Sequence, residues 1–309
     1  MLLVIHGGLH KSASTFLQHL LFLNRDLLKA RGVYFEPDAM MQASHGTAWM
    51  TLLDNFAHVE AHLRQAAELG NQSAILSSED FETLVFDPAR ARQVEAAALA
   101  GGATEIEWHF CLRDPGDYFA SMYSELSKHT FSDYLTLLAG ALRDGHLHIE
   151  REARRYPLYW DFCFDYETHL TAFARGIGGK VVVHDFRDSA PYPGHGLIER
   201  LIGVEPELQL PGPASRNHRL PADQIEANFA AKLDAIGQQS GLSAKVTAAL
   251  KDHLRFPAEL QDDCREAISG KFAPGMERLF AHGVEIAPAM AMPTKSKSPG
   301  GHPGLRQRR

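Results

Sequence analysis

The chain opens on a short apolar run, Leu2 to His6, which Gly7 and Gly8 end. Apolar residues then recur at three- and four-residue steps: Phe16, Leu17, Leu20, Leu21, Leu27 and Leu28. That is the period of a helix buried along one face. The pattern predicts strand, glycine turn, helix, with Gly32 as the stop. A second short strand is predicted over 33–36 and a helix over 49–69. A buried strand follows over 74–78 and turns polar at its carboxyl end. Next come a helix over 90–99, a strand over 106–112 and a helix opened by Pro115, where the missing N–H costs nothing. Residues 180–184 read as a fifth strand, and the sequence beyond Pro221 is mainly helical. Strands alternating with helices predict a three-layer α/β fold, with a central, mostly parallel sheet between helices. One domain is expected over 1–287. A Pro/Gly/Ser tail without acidic residues follows over 288–309, expected to be disordered and basic.

Composition narrows the function. The apolar share is 45% and the charged share 22%, as in ordinary globular proteins. A formal net charge of -7 argues against bulk attraction to nucleic acid or anionic membrane. An anion site must therefore be a local arrangement of donors. Cys111, Cys163 and Cys264 are too few and too scattered for a disulfide framework, and no CxxC pair suggests zinc. A cytoplasmic protein is expected, without a signal peptide or an apolar stretch of transmembrane length. His146, His148 and Glu150 lack a second ligand pair at metal-binding spacing, so no metal is expected. Tyr156, Tyr159, Trp160, Phe162 and Phe164 read as core, with an acceptor pocket as the alternative.

The candidate chemistry lies just after the first strand, in Gly7-Gly8-Leu9-His10-Lys11-Ser12-Ala13-Ser14-Thr15. A glycine turn lets the backbone approach a ligand, and the start of a helix offers N–H groups and a favourable dipole to an anion. Lys11 adds a positive charge, while Ser12, Ser14 and Thr15 add hydroxyl donors. The spacing is not that of a Walker A motif, because His10 stands where the second glycine belongs. About a hundred residues on, Arg113-Asp114-Pro115 ends a strand and opens a helix that carries Ser121. Arg113, Ser121 and the first-turn N–H groups of that helix are expected to face one anion.

Both segments resemble the PAPS-dependent sulfotransferases, in particular their bacterial members. PAPS is 3′-phosphoadenosine 5′-phosphosulfate. Lys11, Ser12, Ala13, Ser14, Thr15, Leu17 and Gln18 fall on that family's 5′-phosphosulfate loop, with Ala13 in place of the commoner glycine. Arg113 and Ser121 match its 3′-phosphate motif in type and spacing. The resemblance covers roughly residues 1–220 and implies a P-loop-like nucleotide-binding fold. It implies sulfuryl transfer from PAPS to an acceptor hydroxyl on a small molecule or glycan, without a metal. Lys11 would act on the leaving phosphate oxygen, and Lys11, Ser12, Ala13, Ser14, Thr15, Arg113 and Ser121 would bind the donor.

The acceptor hydroxyl needs a base. Glu79 follows the strand over 74–78 and is favoured. His45, in a polar loop, and Glu36, at the end of the second strand, are the alternatives. Two rival functions remain at this level. One is a nucleotide or small-molecule kinase using ATP and magnesium, with Glu79 and Asp80 near the metal. The other is a catalytically inactive nucleotide-binding protein on the same fold.

Overall fold

The computed structural model describes residues 1–37, 46–129, 132–150, 159–188, 190–203, 208–212, 220–254, 256–282 and 285–286. His45, Tyr156 and the tail 288–309 lie outside them. The elements run β1 (Leu2–His6), α1 (Ser14–Leu23), α2 (Arg25–Ala30), β2 (Val33–Tyr34), α3 (Thr47–Leu52), α4 (Ala57–Glu68) and β3 (Ser73–Ser77). A 3-10 helix (Glu79–Phe86) leads to α5 (Pro88–Ala100), β4 (Glu105–Leu112), α6 (Pro115–His129) and α7 (Tyr134–Asp144). Then follow β5 (His146–Glu150), β6 (Tyr159–Cys163), α8 (Tyr166–Gly176), β7 (Lys180–Asp185) and α9 (His195–Ile202). The chain ends in α10 (Ala222–Gln239), α11 (Ala244–His253), a short 3-10 turn (Ala258–Leu260), α12 (Gln261–Ala281) and β8 (Glu285–Ile286).

The main sheet has the order β2-β3-β1-β4-β7-β8. Its first five strands are parallel and β8 joins the edge antiparallel. This is the expected α/β architecture. Strand alternation divides the core. Leu3, Ile5, Leu76, Trp108, Phe110 and Val183 point to one face, where α4, α5, α6, α8 and α12 pack. Val4 and Ile75 point to the other, under α1, α2 and α9. From β1 the chain passes to β2 and β3 on one side, then crosses to β4 on the other. The strand order therefore reverses beside β1 and β4. In open parallel sheets the crevice at such a reversal, beyond the carboxyl ends of the strands, is where ligands bind.

Three stretches differ from the sequence expectation. The first helix breaks at Asn24, whose amide donates to the carbonyls of Leu20 (2.7 Å) and Gln209 (2.8 Å). A side chain that bonds nearby backbone in this way competes with continued helix. The helix expected over 49–69 breaks where Asp54 takes a positive φ of 57°. Residues 146–150 and 159–163 form a separate antiparallel hairpin, with Ile149 opposite Trp160. Among the described residues no helix is long and apolar enough to cross a membrane.

Candidate anion site

β1 and β3 end together, with His6 opposite both Ser77 and His109, and β4 runs on to Leu112 in the same direction. The loop 7–13, Glu79 and Arg113 therefore leave the sheet on one edge. The loop is bent tightly: Lys11 and Ala13 hold positive φ angles of 63° and 65°, unusual for residues with a side chain. Gly8 has a steric reason to be glycine. A Cβ there would run into the His6 ring and Ser14 Oγ.

The two sequence motifs meet. Arg113 donates Nη1–H to the carbonyl of Lys11 at 3.2 Å, across 102 positions of sequence. Its guanidinium lies over the Phe186 ring at 5.3 Å, and its own carbonyl accepts from Tyr166 Oη at 2.9 Å. Ser121 is buried two turns into α6. The first-turn N–H groups of α6 are not all turned to a ligand, contrary to expectation. Asp114 Oδ1 accepts those of Gly116 and Asp117, both at 3.0 Å, and also Ser269 Oγ at 2.6 Å. Asp114 thus caps the helix with its own carboxylate, leaving Arg113 and Ser121 as the donors of that motif.

In the loop itself the serine hydroxyls turn inward. Ser12 and Ser14 both donate to the carbonyl of Leu9, the latter at 3.2 Å. Ala13 stands at the N-cap of α1 and Thr15 is half-buried in its first turn. The first N–H groups of a helix find no carbonyl within it, and the first turn of α1 carries no acid. Lys11 Nζ is 2.9 Å from Glu125 Oε2 on α6, and that carboxylate also receives Lys128 Nζ (2.8 Å) and His129 Nε2 (3.2 Å). Burial alone would raise the Glu125 carboxyl, but the hydrogen bonds from Lys128 and Lys11 hold it down at about 2.

Of the candidate bases, Glu79 lies at the site edge. Gln18 of α1 donates Nε2–H to its Oε2 at 2.7 Å, so this residue of the resembled motif holds the glutamate. Glu36 is exposed beyond β2, two strands away from β1. Among the described residues no group of three or more His, Cys, Asp or Glu side chains could hold a metal ion.

Two buried histidine clusters flank the loop, and neither was anticipated. On one face Glu82, fully buried, accepts from the backbone N–H of His10 (2.9 Å), the N–H of Cys163 (2.8 Å) and Tyr118 Oη (2.9 Å). His10 Nδ1 is 2.9 Å from Glu82 and Nε2 is 3.6 Å from Asp80. Desolvation would lower the His10 pKa, but the hydrogen bonds to Asp80 and Glu82 outweigh it and raise it. On the other face His6 Nδ1 lies 2.8 Å from Ser77 Oγ, and its Nε2 is buried without a partner. His109 bridges His184 Nε2 (2.9 Å) and Glu107 Oε2 (3.1 Å), and Arg200 pairs with Glu107 at 2.7 Å. The hydrogen bond from His109 holds the Glu107 carboxyl at about 2, against desolvation and with help from Arg200. That carboxylate only accepts, so His109 Nε2 donates to it. Burial first, then neighbouring His109, pushes both His6 and His184 down to about 3.

No sequence pattern isolates Glu125, Glu82 or His6, because each owes its role to a partner from another element. Comparisons with family models, with curated proteins and with solved structures return no match.

Proposed function

We propose that the chain is a P-loop-like, PAPS-dependent sulfotransferase. It would move a sulfuryl group to an acceptor hydroxyl of a small molecule or glycan. The observation that carries this reading is the contact between the two anion motifs, Arg113 Nη1 to the Lys11 carbonyl, beside the reversal point of the sheet. The donor set fits a nucleotide with two separated anionic groups. On this reading Lys11 and the start of α1 would meet one, and Arg113 and Ser121 the other. The bound donor supplies the activated sulfuryl group. Its S–O bond to phosphate breaks as the acceptor oxygen bonds to sulfur. The chain's own part is to neutralise charge on the departing phosphate with Lys11 and to take the acceptor's proton, a task suited to Glu79. Asp80, which a magnesium-dependent kinase would need near the phosphates, is paired with His10.

The test is a thermal-shift comparison of 3′,5′-adenosine bisphosphate, AMP and ATP with magnesium. By linkage, a ligand present at 100 times its Kd stabilises by about 2.7 kcal/mol. The bisphosphate is expected to raise the melting temperature well above AMP at equal concentration. Equal shifts, or a larger one with ATP and magnesium, would reject the reading.

A further inference from the structure

We propose that Glu125 is a positioning and specificity residue acting through Lys11: its carboxylate occupies the loop lysine until a ligand anion displaces it. This rests on the reading of the β1–α1 loop as an anion site and names what controls entry to it.

Lys11 is only 10% exposed, and its ammonium is aimed at Glu125 rather than at solvent. Its backbone is fixed from another direction, through the bond that Arg113 makes to its carbonyl. The side chain is therefore held by α6 while the main chain is held by the residue that opens α6. Glu125 lies four positions after Ser121 and seven after Tyr118, so the three share one face of the helix. That face carries the Tyr118 bond to Glu82, then Ser121, then the Lys11 pair.

Two features make the pair exchangeable. Glu125 keeps Lys128 and His129 when Lys11 leaves, so no carboxylate is stranded in a poorly hydrated place. A ligand phosphate or sulfonate offers Lys11 an equivalent anionic partner. Until the exchange happens, the Lys11 ammonium is engaged by Glu125, and an anion must compete for it. Groups that pair only weakly with an ammonium are selected against by this competition, and Glu125 is in place to reclaim Lys11 when product leaves.

The test is a double-mutant cycle over Lys11 and Glu125, titrating inorganic pyrophosphate and 3′,5′-adenosine bisphosphate by calorimetry. Glu125→Gln keeps the shape and removes the charge. It is expected to tighten both probes on the order of tenfold (about 1.4 kcal/mol). In the Lys11→Ala background the same change should bring no gain. No tightening in the single variant overturns the proposal. A gain that survives in the Lys11→Ala background also overturns it, since it reports net charge alone. The wild-type chain supplies a check independent of variant folding. On adding pyrophosphate, the Lys11 ammonium and Glu125 carboxyl NMR resonances should shift together, and a Glu125 signal that stays put overturns the proposal. Tight pyrophosphate binding without preference for the bisphosphate rejects the nucleotide reading and leaves this inference to the cycle. Absence of binding by either probe to any variant rejects both.

Discussion

Two histidine clusters sit on opposite faces of one sheet, a few residues apart along the chain, and the pKa of His10 in one moves opposite to those of His6 and His184 in the other. His10 meets two carboxylates, so its cationic form is favoured. His6 and His184 are desolvated by burial and lie beside His109, so their neutral forms are favoured. Burial is common to both faces, and the difference is whether a carboxylate is left available to the ring. Glu107, the acid of the neutral face, is shared between His109 and Arg200. Glu82, the acid facing His10, has no arginine partner among the described residues and collects four donor groups around the loop.

The largest expected effect breaks the charged face. Glu82→Gln turns an amide N–H toward donors that need an acceptor, with no water to take its place. Urea unfolding should show a loss of about 3–5 kcal/mol. Glu107→Gln should cost less, about 1.5–3 kcal/mol, because Arg200 is 46% exposed and stays hydrated. Equal losses would remove the contrast between the faces.

The next effect is pH dependence, and its sign differs between the clusters. The folded pKa of His10 is raised, so its contribution is complete below the unfolded value near 6.5. It fades as pH rises above that value toward the folded pKa. His6 and His184 are lowered to about 3, so the unfolded chain binds more protons between 3 and 6.5 and stability falls on acidification through that window. Each group moves stability by at most about 1.4 kcal/mol per pH unit inside its window. His10→Gln should flatten the alkaline limb alone, and His184→Gln should flatten part of the acid limb alone. Unfolding measured from pH 4 to 9 distinguishes them, and a variant that alters the wrong limb contradicts the assignment.

The smallest effect probes the hinge between the faces. Gly8→Ala places a methyl against the His6 ring and Ser14 Oγ and should cost about 1–3 kcal/mol. His6→Ala in the same chain should restore most of that loss if the ring is the obstacle.

What could be read from the sequence follows the same division. β1, β3 and β7 were legible because each is built on a short continuous apolar run, β4 because Ile106, Trp108, Phe110 and Leu112 alternate with other residues, and the glycines after β1 marked the loop. Lys11, Arg113 and Glu79 were legible as residues at strand ends, although only the fold brings the first two into contact. The break at Asn24 was not legible, since the apolar period runs through it and the interrupting partner is Gln209. Nor was the hairpin: the alternating His146, His148 and Glu150 draw attention as possible metal ligands, and their strand shows only in the pairing with Tyr159 to Cys163. Glu82, Glu107 and Glu125 read as ordinary surface acids, because a carboxylate's burial depends on donors supplied from far along the chain.

The close approach between α6 and α12 sets a timetable for the nascent chain. A Cβ on Gly116 would collide with the carbonyl of Arg265, and Ser269 and Arg265 bond to Asp114 and Asp117 at the start of α6. Arg113, one residue before that start, is thus braced by a helix made some 150 residues later. While the ribosome is still adding the residues between α6 and α12, the loop after β1 already exists and the brace behind Arg113 does not. Assembly of the full anion grip waits for α12 to emerge. Until α12 is made, the face of α6 that it covers stays open.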